Sequence, residues 1–230
     1  MSRRSFPLRV WPSALAMDET CHGIILRTRP LTETSVVVHW LTSESGRVAT
    51  VAKGARRPKS PLRGKLDLFY EAQFSFARGR SELHTLREVL VSETHRRLRE
   101  EIGWIQQASY FANFIEQTTE TDTPLPEIYS LMSEVLHRLG NLPAQPRTVF
   151  AFELKMLDHL GLQPDLAESD LSPGTKKVAR TLSVADWESI ERLRLSEQQA
   201  AQLKEFLHGF LIYNLGSLPR GRASALQPGR

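Results

Sequence analysis

The sequence predicts an α+β chain in two parts, a small β module followed by an all-helical region. Apolar residues alternate with a period of two from about Cys21 to Val91, and from about Thr94 the apolar period becomes 3.6. Glycine, proline and polar clusters punctuate the first stretch at the spacing of short strands, while the second carries helix caps. These signals divide the chain into a tail over 1–16, a β module over 17–92 and a helical region over 93–225.

Five strands are expected. The run "GIILRTR" sets Ile24, Leu26 and Thr28 against Ile25, Arg27 and Arg29, and "TSVVVHWL" sets Val36, Val38 and Trp40 against Val37, His39 and Leu41. After the turn-rich "TSESG", "RVATVAKG" forms the third. In "LDLFYEAQFSFARG", Leu66, Leu68, Tyr70, Ala72, Phe74 and Phe76 share one face, with Phe69 opposite, and "ELHTLREVLV" is the fifth run. A closed five-stranded Greek-key barrel satisfies every edge, and a sandwich half covered by the helices is the alternative.

In the helical region one stripe joins Leu98, Ile102, Ile105, Ala108, Ala112 and Ile115, widened by Phe111 and Phe114. A second runs from Ile128 to Leu139, and a third helix, "TVFAFELKMLDHLG", ends at Gly161. A short segment near Lys176–Leu182 and a helix over about Val184–Leu193 follow. The last helix opens at Ser196, with Gln199 completing a capping box, and stops at Gly216. The remaining "SLPRGRASALQPGR" reads as a frayed tail. Two β and α portions this small are expected to pack on each other.

With 230 residues, 40% hydrophobic, 24% charged and a net charge of +4, the composition is that of an ordinary globular chain whose basicity matters only where it is concentrated. A single cysteine, Cys21, excludes an internal disulfide and any zinc site of several thiolates from this chain alone. No stretch is apolar enough to cross a bilayer, so no membrane partner is expected. The first residues, MSRRSFPLRVWPSALA, lack the apolar run of a signal peptide, and the ordered chain is expected to begin near Met17.

Catalytic constellations are missing. The seven histidines are scattered without a spacing that would join two on one helix face, Cys21 and His22 point to opposite sides of a strand, and Asp165 and Asp170 suit turns. No phosphate loop or dinucleotide fingerprint occurs. The chain is therefore expected not to be an enzyme, with no catalytic residue, metal or cofactor.

Charge is concentrated in one place. Between Gly46 and Leu66 there are seven Lys or Arg and no Asp or Glu. Lys53, Arg56, Arg57, Lys59, Arg63 and Lys65 fall within thirteen residues, and Gly54, Pro58, Pro61 and Gly64 discourage a helix through them. A flexible basic loop of this kind can meet successive phosphates and release their counterions without reading bases. Arg27, Arg29, Arg78 and Arg80 of the same module would extend the patch. Phe69 is the candidate for base stacking, since Tyr70, Phe74 and Phe76 belong to the core face. "HRRLRE" at 95–100 opens the first helix, either as a solvated face or as a seam against the β module.

The stretch "GIILRTRPLTETSVVVHWLTSESGRVATVAKGARRPKS" resembles the amino-terminal module of the bacterial RecO family of DNA repair and recombination mediators. It carries the Gly-Ile-hydrophobic-Leu strand, an acid and hydroxyl before the second strand, a "T-x-x-x-G" turn and an "AKGARRxxS" loop. "FELKMLDHLGLQPDL", "LSPG" and "LSEQQAAQLKEFLHGFLIYNLG" resemble its helical part. The resemblance implies an oligonucleotide-binding (OB) barrel followed by helices. It implies binding of single- and double-stranded DNA, annealing of complementary strands, and loading of RecA onto strands coated by SSB. It further implies RecR and the SSB C-terminal tail as partners, and a cytoplasmic, nucleoid-associated location. Many members carry a four-cysteine zinc-binding insertion between the "GxxPDL" and "LSPG" elements. Here "PDLAESDLSPG" joins them without a cysteine, so no structural zinc is expected. An RNA-binding or ribosome-associated OB protein, a scaffold for acidic tails and a nuclease using the loop acids are the competing readings.

Overall fold

A computed structural model describes residues 18–79, 81–141 and 143–227; the N-terminal segment up to Met17, Arg80, Leu142 and the last three residues lie outside it. Five strands close a barrel: β1 (Glu19–Pro30), β2 (Val36–Thr42), β3 (Gly46–Ala52), β4 (Glu71–Ala77) and β5 (Leu83–Glu93). Their order around the wall is β1-β2-β3-β5-β4, closed by β4 on β1, with β3 and β5 the one parallel pair. This is the OB order, and it decides for the barrel over the sandwich. β1 is long enough to pair β4 through Glu19–Ile24 and β2 through Gly23–Pro30, which is how one strand closes the sheet.

The barrel is filled by one set of alternating residues. Trp40 stacks on Phe74 with ring centroids 4.0 Å apart, and its indole N–H donates to Thr50 Oγ1 at 2.9 Å, so the largest interior side chain leaves no polar atom unpaired. Phe76, Val38, Val48 and Val89 pack beside them in this core.

The helices are α1 (Ile102–Thr118), α2 (Pro126–Arg138), α3 (Pro146–His159), α4 (Pro173–Val184), α5 (Trp187–Arg192), α6 (Glu197–Leu215) and α7 (Arg222–Leu226). The capping box at Ser196 and Gln199 forms with both bonds, and Gly161 and Gly216 take positive φ where their helices end. A second core links these helices to the barrel, because Ile24, Leu26, Leu41 and Phe69 project from the barrel into the cluster of Trp104, Phe111, Phe114 and Phe152. Gly46 marks the tightest approach. Its φ is +67°, and a Cβ there would meet the Thr123 carbonyl oxygen at 1.8 Å, so both the turn and the neighbouring backbone require glycine.

Several expectations need correction. The fourth strand spans only Glu71–Ala77 instead of beginning at Leu66, because Phe69 turns the chain at φ +65°. Arg96–Arg99 form a separate 3₁₀ turn, not the start of α1. There Arg99 donates to Asp67 Oδ2 and the Leu68 carbonyl, both at 2.9 Å, and lies over the Tyr70 ring, so this cluster is a seam against the barrel. Ile102, counted into the apolar stripe, is exposed. The segment near Lys176–Leu182 is the middle of a full helix, α4. The tail after Gly216 is not frayed, since Arg222 folds back to bind Glu153 through Nε at 2.6 Å and Nη2 at 2.9 Å and docks α7.

Candidate nucleic-acid interface

The basic segment lies between β3 and β4 and closes one end of the barrel. The strand register explains its position: Pro30, Val36 and Ala52 form one row across β1, β2 and β3, and Lys53 is the next residue outward. The flexible loop expected there is instead a chain of turns. Arg57 N–H donates to the Gly54 carbonyl at 3.0 Å, Ser60 to Arg57 at 3.1 Å, Arg63 to Ser60 at 3.2 Å and Lys65 to Leu62 at 3.2 Å. Ala55 and Leu62 are buried in the barrel core, so the segment is a plug with two apolar anchors. Arg56 N–H donates to the Thr34 carbonyl at 3.0 Å, and Lys65 Nζ donates to the Val89 carbonyl at 3.0 Å, tying the plug to the β1–β2 connection and to β5. Glycine and proline exclude a regular helix as expected, and hydrogen-bonded turns take its place.

Anchoring the apolar residues inward turns the cations outward. Lys53, Arg56, Arg57, Lys59 and Arg63 are exposed, and Lys65 is half-buried. Among the described residues, no carboxylate forms an ion pair with any of the six. Among the described residues, the side chains of Arg56 and Arg63 bond only to the carbonyls of Thr32 and Pro58, at 3.5 and 3.2 Å. The plug therefore holds a group of like charges on a fixed backbone with no internal anion. Arg29, exposed one residue before Pro30, lies at the same end.

Two of the other predicted arginines are engaged elsewhere. Arg27 donates to Glu116 of α1 at 2.9 Å. Arg78 binds Glu19 and reaches Asp122 at 3.2 Å; it continues β4 past the Ala77–Thr85 pair, away from the plug. Arg80 lies outside the described residues. Sequence reasoning passed over Arg87, which faces outward on β5. With Lys65, Pro61, Gln73 and Leu90 it lines a groove of about 650 Å³ that leads from the plug across β4 and β5. Asp18 lies 3.5 Å from its guanidinium. The outward position of Arg87 in an alternating strand was the available signal.

The stacking expectation is corrected. Phe69 is 1% exposed and packs among the helices, because the turn at its positive φ swings its ring off the barrel's outer face. Trp40, Phe74 and Phe76 are interior, and Tyr70 is half-covered beneath Arg99. No described aromatic of the barrel stands free beside the cations, so this surface offers charge and backbone geometry without stacking platforms.

The acids and thiol considered for catalysis have structural roles. Asp165 Oδ1 accepts the Ala167 N–H at 2.8 Å in a turn. Cys21 is buried, which raises its thiol above the ordinary range, while His22 points outward to Glu44. The histidines are less scattered than the sequence suggests: His95 and His137 converge on Glu71. Among the described residues no helix is long and apolar enough to cross a membrane.

Two family models match the chain. "Recombination protein O N terminal" covers residues 17–95, and "Recombination protein O C terminal" covers 105–169. Curated relatives include the DNA repair protein RecO of Alkaliphilus metalliredigens, 32% identical over 145 residues, which are 63% of this chain and 58% of that protein. That of Symbiobacterium thermophilum is 34% identical over 146 residues, 63% of this chain and 57% of the relative. That of Bacillus subtilis is 32% identical over 146 residues, 64% and 57% of the two. The matched stretch thus spans somewhat under three fifths of these relatives. With both halves of the family's architecture matched in order, and a closed barrel followed by helices where they fall, the chain belongs to the RecO family.

Proposed function

We propose that this protein is a DNA repair and recombination mediator that grips the phosphate backbones of single- and double-stranded DNA with the plug of its barrel and anneals complementary strands. The observation that carries this reading is the set of exposed, unneutralised cations, Lys53, Arg56, Arg57, Lys59 and Arg63, fixed on one hydrogen-bonded cap, with Lys65 half-buried at its base. Each cation that meets a phosphate releases a counterion, so binding is steeply salt-dependent and tolerant of sequence. Two strands held against one positive surface repel each other less, and pairing proceeds without a covalent step or a catalytic residue. The groove over β4 and β5 provides a continuation for a strand leaving the plug, although Arg87 in it is paired with Asp18 and Glu88 also lines it. Arg27 and Arg78, held by carboxylates, contribute less than the plug. Membership of the family supports the remaining roles: loading of RecA on SSB-coated strands, with RecR and the SSB C-terminal tail as protein partners.

The test compares wild type with Arg56→Ala/Arg57→Ala/Lys59→Ala in annealing of complementary oligonucleotides and in DNA affinity across a salt series. Losing three phosphate contacts reduces the slope of log affinity against log salt by roughly two to three units, and annealing slows with it. An unchanged slope with unchanged annealing would remove the plug from the mechanism. Equal or tighter binding of RNA, without annealing of DNA, would favour an RNA-binding OB protein.

A further inference from the structure

We propose that Glu71, His95 and His137 form a binding site for a divalent transition metal, zinc above all, at the junction of barrel and helices. The residues come from three elements: Glu71 opens β4, His95 follows β5, and His137 lies in the last turn of α2. Glu71 Oε1 is 3.0 Å from His95 Nε2 and 3.6 Å from His137 Nδ1, and all three ligand atoms lie within 4.8 Å of one another. Ligands at zinc's usual bond lengths of about 2.0–2.1 Å stand about 3.3 Å apart at the corners of a tetrahedron, so the carboxylate edges at 3.0 and 3.6 Å nearly fit, and the imidazole ligand atoms lie no more than 4.8 Å apart.

The surroundings favour an ion. The side chains of His95 and Glu71 are 4% and 12% exposed, whereas His137 is 53% exposed and provides the entry path and an open fourth position. Ser133 Oγ donates to Glu71 Oε1 at 2.9 Å, orienting the carboxylate from outside the ligand set. Glu93 Oε1 accepts the backbone N–H groups of Thr94 and His95 at 2.7 and 2.9 Å and so holds His95 at φ +44°, a conformation a non-glycine residue rarely takes. His137 Nδ1 is bonded to the Ser133 carbonyl at 2.8 Å; on ligation it would exchange that bond for the metal, and the carbonyl would keep its helical N–H partner. Two imidazoles and one carboxylate select zinc and its first-row neighbours over calcium or magnesium, which take oxygen ligands. These residues are distinct from the 163–172 stretch, which holds neither cysteine nor histidine and cannot supply a thiolate site. Bound there, the ion would clasp α2 to the barrel wall.

The full chain, stripped with chelator and carrying Cys21→Ala so that no thiol competes, is titrated with zinc against a chromogenic chelator, and thermal unfolding is followed with and without the metal. One equivalent binds per chain, and a hundredfold excess over the dissociation constant raises the midpoint by about 5 °C or more. His95→Gln and His137→Gln each weaken zinc binding at least tenfold and abolish the thermal shift, while His159→Gln, on exposed α3 surface, changes neither. His137 is half-exposed, so its variant stays folded even if that of His95 does not. Wild-type-like zinc affinity in His137→Gln, or no thermal shift in the parent protein, would overturn the proposal and leave the cluster a hydrogen-bonded seam.

Discussion

At the scale of single residues, the junction between barrel and helices is written in charges that had to be neutralised or avoided. His39, on β2, shows the second solution. It is mostly buried, its Nε2 has no hydrogen-bond partner among the described residues, and Arg27, Arg29 and Arg47 lie near it. Burial first, and those arginines next, push its imidazole down from the ordinary 6.5 to about 4. Glu116 Oε1 stands 3.6 Å from Nδ1 but is committed to Arg27 at 2.9 Å, so it does not rescue the charged form. The folded state therefore binds a proton less readily than the unfolded chain. Stability from this residue is complete above pH 6.5 and falls as the pH drops toward about 4, by on the order of 2 kcal/mol. Urea unfolding at pH 7.5 and 4.5 checks this. His39→Gln should lose less stability between the two conditions than wild type, and an equal loss would place the acid sensitivity elsewhere.

At the scale of elements, short segments are secured by one or two buried anchors, and this decides what the sequence disclosed. The strands were legible because short β-branched and aromatic runs such as Val36–Leu41 lie between turn residues, and α6 was legible because Ser196 and Gln199 stand three residues apart at its start. The basic plug was legible as charge and illegible as structure, since Ala55 and Leu62 look like filler between cations until the barrel gives them a core to enter. Phe69 kept the alternation on paper while its positive φ broke it in space. The cluster at Glu71 and the anchoring of α7 join residues far apart in the chain, which periodicity does not reach. Arg222 of α7 and Tyr110 of α1 both donate to the buried Glu153 carboxylate, at 2.6 and 2.5 Å to Oε1. Arg222→Ala leaves that charge in the core without its counterion and should cost about 3–5 kcal/mol in chemical denaturation. Combining Arg222→Met with Glu153→Gln should recover most of the loss, because the pair is then replaced by groups that need no charge partner. A small cost of Arg222→Ala alone would mean that α7 docks mainly through Ala225 and Leu226.

At the scale of the whole molecule, the barrel and the helices share one of the two hydrophobic cores. The inner face of the barrel is its own, but Ile24, Leu26, Leu41 and Phe69 belong to the cluster built by α1, α2 and α3. Arg47 binds the Thr119 carbonyl beyond α1, and Asp122 N–H donates back to the Arg47 carbonyl at 3.0 Å, so the backbone is bridged at the same seam. Separating the parts would expose those apolar residues and strand these polar ones, so unfolding is expected to be a single cooperative event. The plug's cations are displayed on a barrel whose wall packs against the helices. Phe69→Ala tests the coupling from the barrel's side. Removing a fully buried ring should cost about 3–5 kcal/mol. It should shift the loss of helical far-ultraviolet signal and the loss of the Trp40 indole N–H resonance, buried against Phe74 and bonded to Thr50, to the same lower denaturant concentration. If the helical signal moved while the Trp40 signal stayed at its wild-type midpoint, the barrel would be an independent unit, and the plug would remain formed without its helical support.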